Sequence, residues 1–417
     1  MHYFVYKNDD LYCENVPIAD IAEQIGTPLY LYSYATITRH FRVFGDAFND
    51  LDHLTCFSVK SNSSLAILRI FALHGGGADV VSGGELFRAL RAGIAPDKIV
   101  YSGVGKTLEE MKLALNSNIL MFNVESDQEL QLLNKSAKDM GCKATIAIRI
   151  NPEVEPKTHP YLATGHSENK FGIPLKDSLN TYESAKQLEN IDVKGISCHI
   201  GSQLTDIDPF LEALRKLKDI LKELTKMAFD IKFLNLGGGL GITYSDEKPP
   251  HPLEYAKALK EIIGKDNITL ILEPGRVIIG NAGILVTRVL YTKSTKNKRF
   301  IIVDAGMNDL IRPTLYNSFH AIQPVKMTHS EMLVADLVGP VCETGDFFVK
   351  DKKMPPFKSG DLVAIMSAGA YSFSMASNYN SRPRPAEVMV KGKIFSLIRS
   401  RETYNDLIHG EVFPEFL

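Results

Sequence analysis

His53-Leu54-Thr55-Cys56-Phe57-Ser58-Val59-Lys60 is an apolar, β-branched and aromatic run that ends on a lysine, and Leu65–Leu73 behind it repeats apolar residues at helical spacing. The same pairing recurs along the chain. Further short runs are Gly77–Ser82, Lys98–Gly103, Met121–Ser126, Ala144–Pro152, Val193–Ser202, Phe233–Gly239 and Thr269–Gly275. Between them lie Glu85–Arg91, Leu108–Leu115, Gln128–Lys138 and Phe210–Met227, with apolar residues three and four apart. Strand and helix in alternation predict parallel β/α units, and eight such runs predict a closed (β/α)8, TIM-like barrel over residues 27–278. The rival is an open doubly wound sheet, whose glycine fingerprint is missing after the first run.

Beyond about residue 278 the texture changes. Apolar and polar residues alternate in Ile284–Tyr291, Phe300–Val303, Asp361–Ile365 and Glu387–Ile394, which predicts a β-rich domain of sandwich or barrel-like form over 279–417. Residues 1–26, with strand-like Tyr3–Tyr6, are expected to pack with it. No internal repeat or low-complexity tract stands out.

Composition narrows the function. The chain has 417 residues, 45% hydrophobic, with 47 Lys and Arg against 49 Asp and Glu. Without a basic excess, nucleic acid and anionic membranes are not expected partners, which leaves small polar ligands or a protein. No basic stretch leads into a long apolar run near the N-terminus, and no segment reaches membrane-spanning length, so a cytoplasmic location is expected. Five scattered cysteines, with no Cys-x-x-Cys pair, indicate neither a disulfide framework nor a metal site. The histidines show no His-Glu-x-x-His spacing.

In such barrels chemistry gathers at the C-terminal ends of the strands. Lys60 ends the first run, Asp79 sits in the second, His199-Ile200-Gly201-Ser202 ends the sixth, Gly237-Gly238-Gly239 the seventh and Glu273-Pro274-Gly275-Arg276 the eighth. Each alone has an ordinary reading: a lysine stem packed on a strand, a core histidine, a tight turn, a surface ion pair. Together they fit pyridoxal 5'-phosphate. A lysine moved out of water favours the neutral amine that condenses with an aldehyde, and glycines let backbone N–H groups approach a phosphate. Glu273 would bond the pyridine nitrogen and keep the ring electron-accepting, while His199 would stack on one ring face.

On these motifs the chain resembles the diaminopimelate decarboxylase family of the alanine-racemase-like, fold-type III pyridoxal-phosphate enzymes. The resemblance runs through Ser58-Val59-Lys60-Ser61-Asn62, Gly77–Leu86, His199–Gln203, Gly237–Gly239, Glu273–Arg276, Arg312-Pro313-Thr314-Leu315-Tyr316, Cys342-Glu343-Thr344-Gly345-Asp346 and Gly369-Ala370-Tyr371. Ser61 stands where the family usually has alanine, and Thr344 where it usually has serine. The resemblance implies decarboxylation of meso-2,6-diaminopimelate to L-lysine and carbon dioxide, with Lys60, His199 and Cys342 catalytic. It implies cofactor contacts from Asp79, Ser202, the glycine triplet, Glu273, Gly275, Arg276 and Tyr371. Arg276, Arg312 and Tyr316 would hold the far carboxylate of the substrate, Glu343 its ammonium, and Tyr371 would touch both cofactor and substrate. A homodimer with shared active sites is implied as well. The alternatives are a decarboxylase of arginine, ornithine or carboxynorspermidine, a racemase of similar architecture, and a non-catalytic cofactor carrier.

Overall fold

Parallel strands buried on both faces need near-continuous apolar sequence, and the runs identified above supply it. The computed structural model describes residues 2–155, 169–264 and 267–417. The chain divides into two units, one built from residues 38–243 and 247–278, the other from 1–37, 244–246 and 279–417.

In the first unit the strands His53–Ser58, Gly77–Val80, Ile99–Tyr101, Met121–Val124, Ala144–Asn151, Ile191–Ser197, Phe233–Asn235 and Thr269–Leu272 pair in that order, all parallel, and the last pairs back to the first. These eight strands therefore close a barrel, and the two-residue strand Ile173–Pro174 pairs with the end of Ala144–Asn151 as a ninth member of the sheet. Cys56, Val100, Met121, Ala147 and Ile271 fill its interior as one buried cluster. Three successive helices start in the same way. Ser82, Thr107 and Ser126 cap Gly83–Ala92, Leu108–Asn116 and Asp127–Asp139 by accepting the backbone N–H of Glu85, Glu110 and Glu129. Glu110 completes a capping box, whereas Glu85 and Glu129 reach one residue farther, to the N–H groups of Val81 and Glu125. That Ser/Thr-x-x-Glu repeat pins the loop at three neighbouring strand ends.

The second unit is sheet-rich. Leu29–Ser33 pairs antiparallel with Gly283–Ser294 and parallel with Ala386–Lys391, so this strand does not belong to the barrel, although the sequence pattern starts the barrel at residue 27. The reason is its two-sided burial: Leu29 and Leu31 join Phe4, Leu11, Ile18, Ile284, Val286 and Val388 in one core, and on its other face Tyr32 donates to Glu387 Oε1 at 2.8 Å. The alternating segment Glu387–Ile394 covers the first strand and the turn of a hairpin: Ala386–Lys391 turns through Gly392, at φ +61°, into Ile394–Arg399.

Leu31→Ala empties a fully buried site in this core. It is expected to lower the unfolding free energy by about 2–5 kcal/mol, read from chemical denaturation. A loss below about 0.5 kcal/mol, the range of surface substitutions, would remove Leu31 from the core.

Candidate active site

The unusual residues lie within one or two positions of strand ends in the barrel unit. Lys60 sits in a single 3-10 turn, Val59–Ser61, just past the strand that ends at Ser58, rather than in the strand itself. His199 and Gly237 each lie two residues past their strands, and Glu273 one past. Lys60, His199 and Glu273 converge on a cavity of about 410 Å3, whose wall also includes Asn123, Arg149, Phe171 and Ser197.

Asp79 is fully buried beneath Lys60. Its Oδ2 receives the Lys60 ammonium at 2.9 Å and the Ser58 hydroxyl at 2.7 Å. Burial pushes this carboxyl up, but the Lys60 charge and the hydrogen bonds outweigh it, so Asp79 stays below the usual range. Asp79 thus holds Lys60 as an ion pair at the strand end. Ser61 turns its hydroxyl back to Ser58 O at 2.7 Å, which accommodates the departure from alanine inside the turn.

Glu273 is buried and receives Asn235 Nδ2 at 2.6 Å and Asn123 Nδ2 at 3.4 Å on the same oxygen. Burial, reinforced by the negative charge of Asp79, raises its pKa to about 8. The group is an acid waiting for a positive partner. His199 is pulled the other way, to about 3, by burial and then by the charges of Lys60 and Arg149. Its ring is therefore neutral at physiological pH, and Nδ1 accepts the N–H of Gly238 at 3.3 Å.

The glycine triplet has steric reasons for its composition. A Cβ on Gly238 would lie 2.1 Å from Glu273 O, and one on Gly275 would lie 3.0 Å from the side chains of Ser58 and Ser61. The loops after three strands nest only because these side chains are missing. Gly237 gives its N–H to Asn235 Oδ1 at 2.9 Å, so Gly237 and Gly238 already have partners within the protein. Arg276 is buried beside the triplet's neighbours and donates to Ser202 Oγ at 3.1 Å.

The remaining candidates belong to the sheet-rich unit. Arg312 is buried, donates to His320 Nε2 at 2.9 Å and Ser318 Oγ at 3.3 Å, and lies 4.6 Å over the Tyr244 ring. His320 Nδ1 meets Met366 O at 2.8 Å, which fixes its tautomer so that Nε2 accepts. Tyr316 is half-buried in the short helix that Arg312 begins. Cys342 and Glu343 are exposed, on a loop held by Asp346, whose carboxylate takes the N–H groups of Met307 and Val341. Tyr371 adopts a left-handed backbone, φ +55°. Asn123, Arg149, Ser197 and Asn235 were not singled out from the sequence. Arg149 had a legible signal, a charge in the middle of the apolar strand Ile148-Arg149-Ile150.

The raised Glu273 sets a pH dependence. In protein stripped of any cofactor, the folded state keeps this proton to about pH 8, while an unfolded chain releases it near 4.5. The folded state binds more protons over that window, so the contribution of Glu273 to stability falls as pH rises through it. Glu273→Gln removes the slope. Relative to the variant, the wild type should lose up to about 1.4 kcal/mol per pH unit, measured by denaturation at a series of pH values. No relative loss would mean that Glu273 ionises in the ordinary carboxylate range.

A family profile described as pyridoxal-dependent decarboxylase, pyridoxal binding domain, matches residues 34–280. Over its full length the chain is 51% identical to a diaminopimelate decarboxylase of Vibrio cholerae, with all of both chains covered. It is 49% identical to one of Aquifex aeolicus over 97% of this chain and 96% of that one. Among solved structures, the diaminopimelate decarboxylase of M. jannaschii in co-complex with L-lysine superposes with a TM-score of 0.95 at 40% identity, covering 99% of this chain and 98% of the other. The Helicobacter pylori enzyme complexed with L-lysine gives 0.91 at 44% identity, covering 94% and 98%. With the barrel, the lysine at its mouth and these full-length matches in hand, the chain belongs to the pyridoxal-dependent decarboxylases, in the branch formed by the diaminopimelate decarboxylases.

Proposed function

We propose that this chain is a pyridoxal-phosphate-dependent carboxy-lyase that converts meso-2,6-diaminopimelate to L-lysine and carbon dioxide, the last step of lysine biosynthesis. The observation that carries the reading is full-length identity of about half to relatives of that name, on a barrel whose Lys60–Asp79 pair opens into a cavity. Orphaned groups in that cavity suit a polar ring: Asn123 Oδ1 and Ser197 Oγ are buried without hydrogen-bond partners among the described residues. Glu273, reluctant to ionise alone, suits a protonated ring nitrogen that shares its proton.

When bound, pyridoxal 5'-phosphate supplies an electron-accepting ring to which the bonding electrons at the substrate α-carbon can pass. The chain supplies the rest. Lys60 offers the amine that holds the cofactor aldehyde, and Asp79 fixes that amine at the strand end. Neutral His199 packs flat without adding charge. Ser202, Arg276, Gly275 and the loop Gly237–Gly239 form the phosphate side, Gly237 and Gly238 by allowing close approach, since their N–H groups are bonded to Asn235 and His199. Arg276, Arg312 and the Tyr316 hydroxyl bind the distal carboxylate, a charge-assisted contact that a site for ornithine has no use for. Glu343 takes the distal ammonium, Tyr371 touches cofactor and substrate, and the Cys342 thiol delivers a proton to the α-carbon once carbon dioxide has left.

The reading includes a cytoplasmic homodimer with shared active sites. It is supported by the exposure of Cys342 and Glu343 on the single chain, since residues serving a partner's cavity need such exposure. Among the described residues no helix is long and apolar enough to cross a membrane.

Two experiments test this. With cofactor present, meso-diaminopimelate should yield L-lysine and carbon dioxide in equal amounts, and L-ornithine or L-arginine should react at least roughly a hundredfold less efficiently, because neither brings a distal carboxylate for Arg276, Arg312 and Tyr316 to bind. Preference for ornithine, or racemisation without gas release, would overturn the assignment. For the shared site, inactive Lys60→Ala and Cys342→Ala proteins are mixed under conditions that exchange subunits. Heterodimers collect both native residues at one interface, so activity should recover to roughly a quarter of wild type. No recovery despite confirmed exchange would place Cys342 in its own subunit's site or outside the chemistry.

A further inference from the structure

Opposite Lys60, the cavity wall rests on a group of buried charges that the proposed chemistry leaves unused. Glu125, just past the strand Met121–Val124, accepts Arg149 NH1 at 2.8 Å and Gly103 N–H at 2.8 Å on one oxygen, and Gly172 N–H at 3.1 Å on the other. Its own N–H goes to Glu129 Oε2 at 2.9 Å. The other oxygen of Glu129 takes the Lys106 ammonium at 2.7 Å, and that ammonium also donates to Gly103 O at 2.7 Å and Asn123 O at 2.8 Å. Gly103 is thus held by both its N–H and its carbonyl. All four charged side chains are at most 9% exposed.

Two buried ion pairs are a poor device for stability alone. The desolvation of each charge consumes most of the attraction, and well-packed apolar residues of similar size do as well or better. What such a group does provide is fixed geometry. Here the fixed parts face the cavity: Gly103, Arg149 and Phe171 all line it, and the Arg149 guanidinium lies 5.0 Å over the Phe171 ring.

We infer that Glu125 is a positioning residue, a carboxylate that clamps Arg149 and the Gly103 and Gly172 loops so that the guanidinium is held at the cavity wall facing the cofactor. The inference rests on the cavity being the cofactor site. Arg149 acts on both groups that flank that site. After burial and the charge of Lys60, it helps keep the proton off His199, and it draws Glu273 down against burial and Asp79. An unclamped guanidinium would lose its fixed distance to both.

The test is a double-mutant cycle read by cofactor affinity, from absorbance titration of the stripped protein with pyridoxal 5'-phosphate, with thermal unfolding recorded alongside. Wild-type protein that takes up no cofactor would sink the functional reading itself, before any variant is compared. Given wild-type binding, Glu125→Gln should weaken it by roughly ten- to a hundredfold, the scale of losing a group that orients a liganding residue. In an Arg149→Lys background the same change should cost less than about threefold, because the two act as one unit. Equal losses in both backgrounds, or wild-type affinity in Glu125→Gln, would overturn the inference. Should Glu125→Gln not fold, Arg149→Lys alone decides. It keeps the charge but not the forked guanidinium, so weakened binding is expected and unchanged binding contradicts the clamp.

Discussion

The ion pair between Lys60 and Asp79 is the constraint on which the rest of the barrel mouth depends. A carboxylate with no solvent exposure, placed inside a parallel sheet, is tolerable only with a cation and donors at hand, and Lys60 and Ser58 provide them. That requirement ties the first strand to the second and fixes where the amine points. It also propagates. Burial is the main cause of the raised pKa of Glu273 and of the lowered pKa of His199; the negative charge of Asp79 adds to the first and the positive charge of Lys60 to the second, each opposed by the other member of the pair. Burial, with the pair adding to it, leaves an acid in need of a cation and an imidazole kept neutral, the two conditions a protonated pyridine ring asks of its neighbours.

Steric economy makes this electrostatic arrangement possible. Charges from different strands interact only if the loops that carry them pack closely, and the glycines allow it. Gly238 lets its loop sit against the carbonyl of Glu273, and Gly275 lets the eighth strand end pass over Ser58 and Ser61. Residues far apart in sequence, at positions 60, 199 and 273, thus line one cavity.

Much of this is legible in the sequence, and what escapes does so for physical reasons. The barrel strands read clearly because burial on both faces demands apolar runs, as in Met121–Val124. Lys60, His199, Glu273 and the glycine triplet are legible by position, since a strand end is where polar groups can face a cavity. Leu29–Ser33 falls inside the bounds expected for the barrel because its composition suits either unit, and only its pairing with Gly283–Ser294 and Ala386–Lys391 decides. The hairpin at Gly392 escapes because alternation continues across the turn. Glu125 and Lys106 look like solvated surface charges until the fold brings Arg149 and Glu129 to them. Their pairing is tertiary, and no local pattern encodes it. The Ser/Thr-x-x-Glu caps were readable but need helix starts known to within a residue.

The central claim is that Lys60, held by Asp79, is the residue that carries the cofactor, and borohydride reduction followed by peptide mapping tests it most directly. Reduction of the cofactor-loaded protein should bleach its visible absorbance, expected near about 420 nm for a protonated lysine adduct, and leave one pyridoxyl group on the peptide containing Lys60. A label on another lysine, or no label on protein that has taken up the cofactor, would contradict the account.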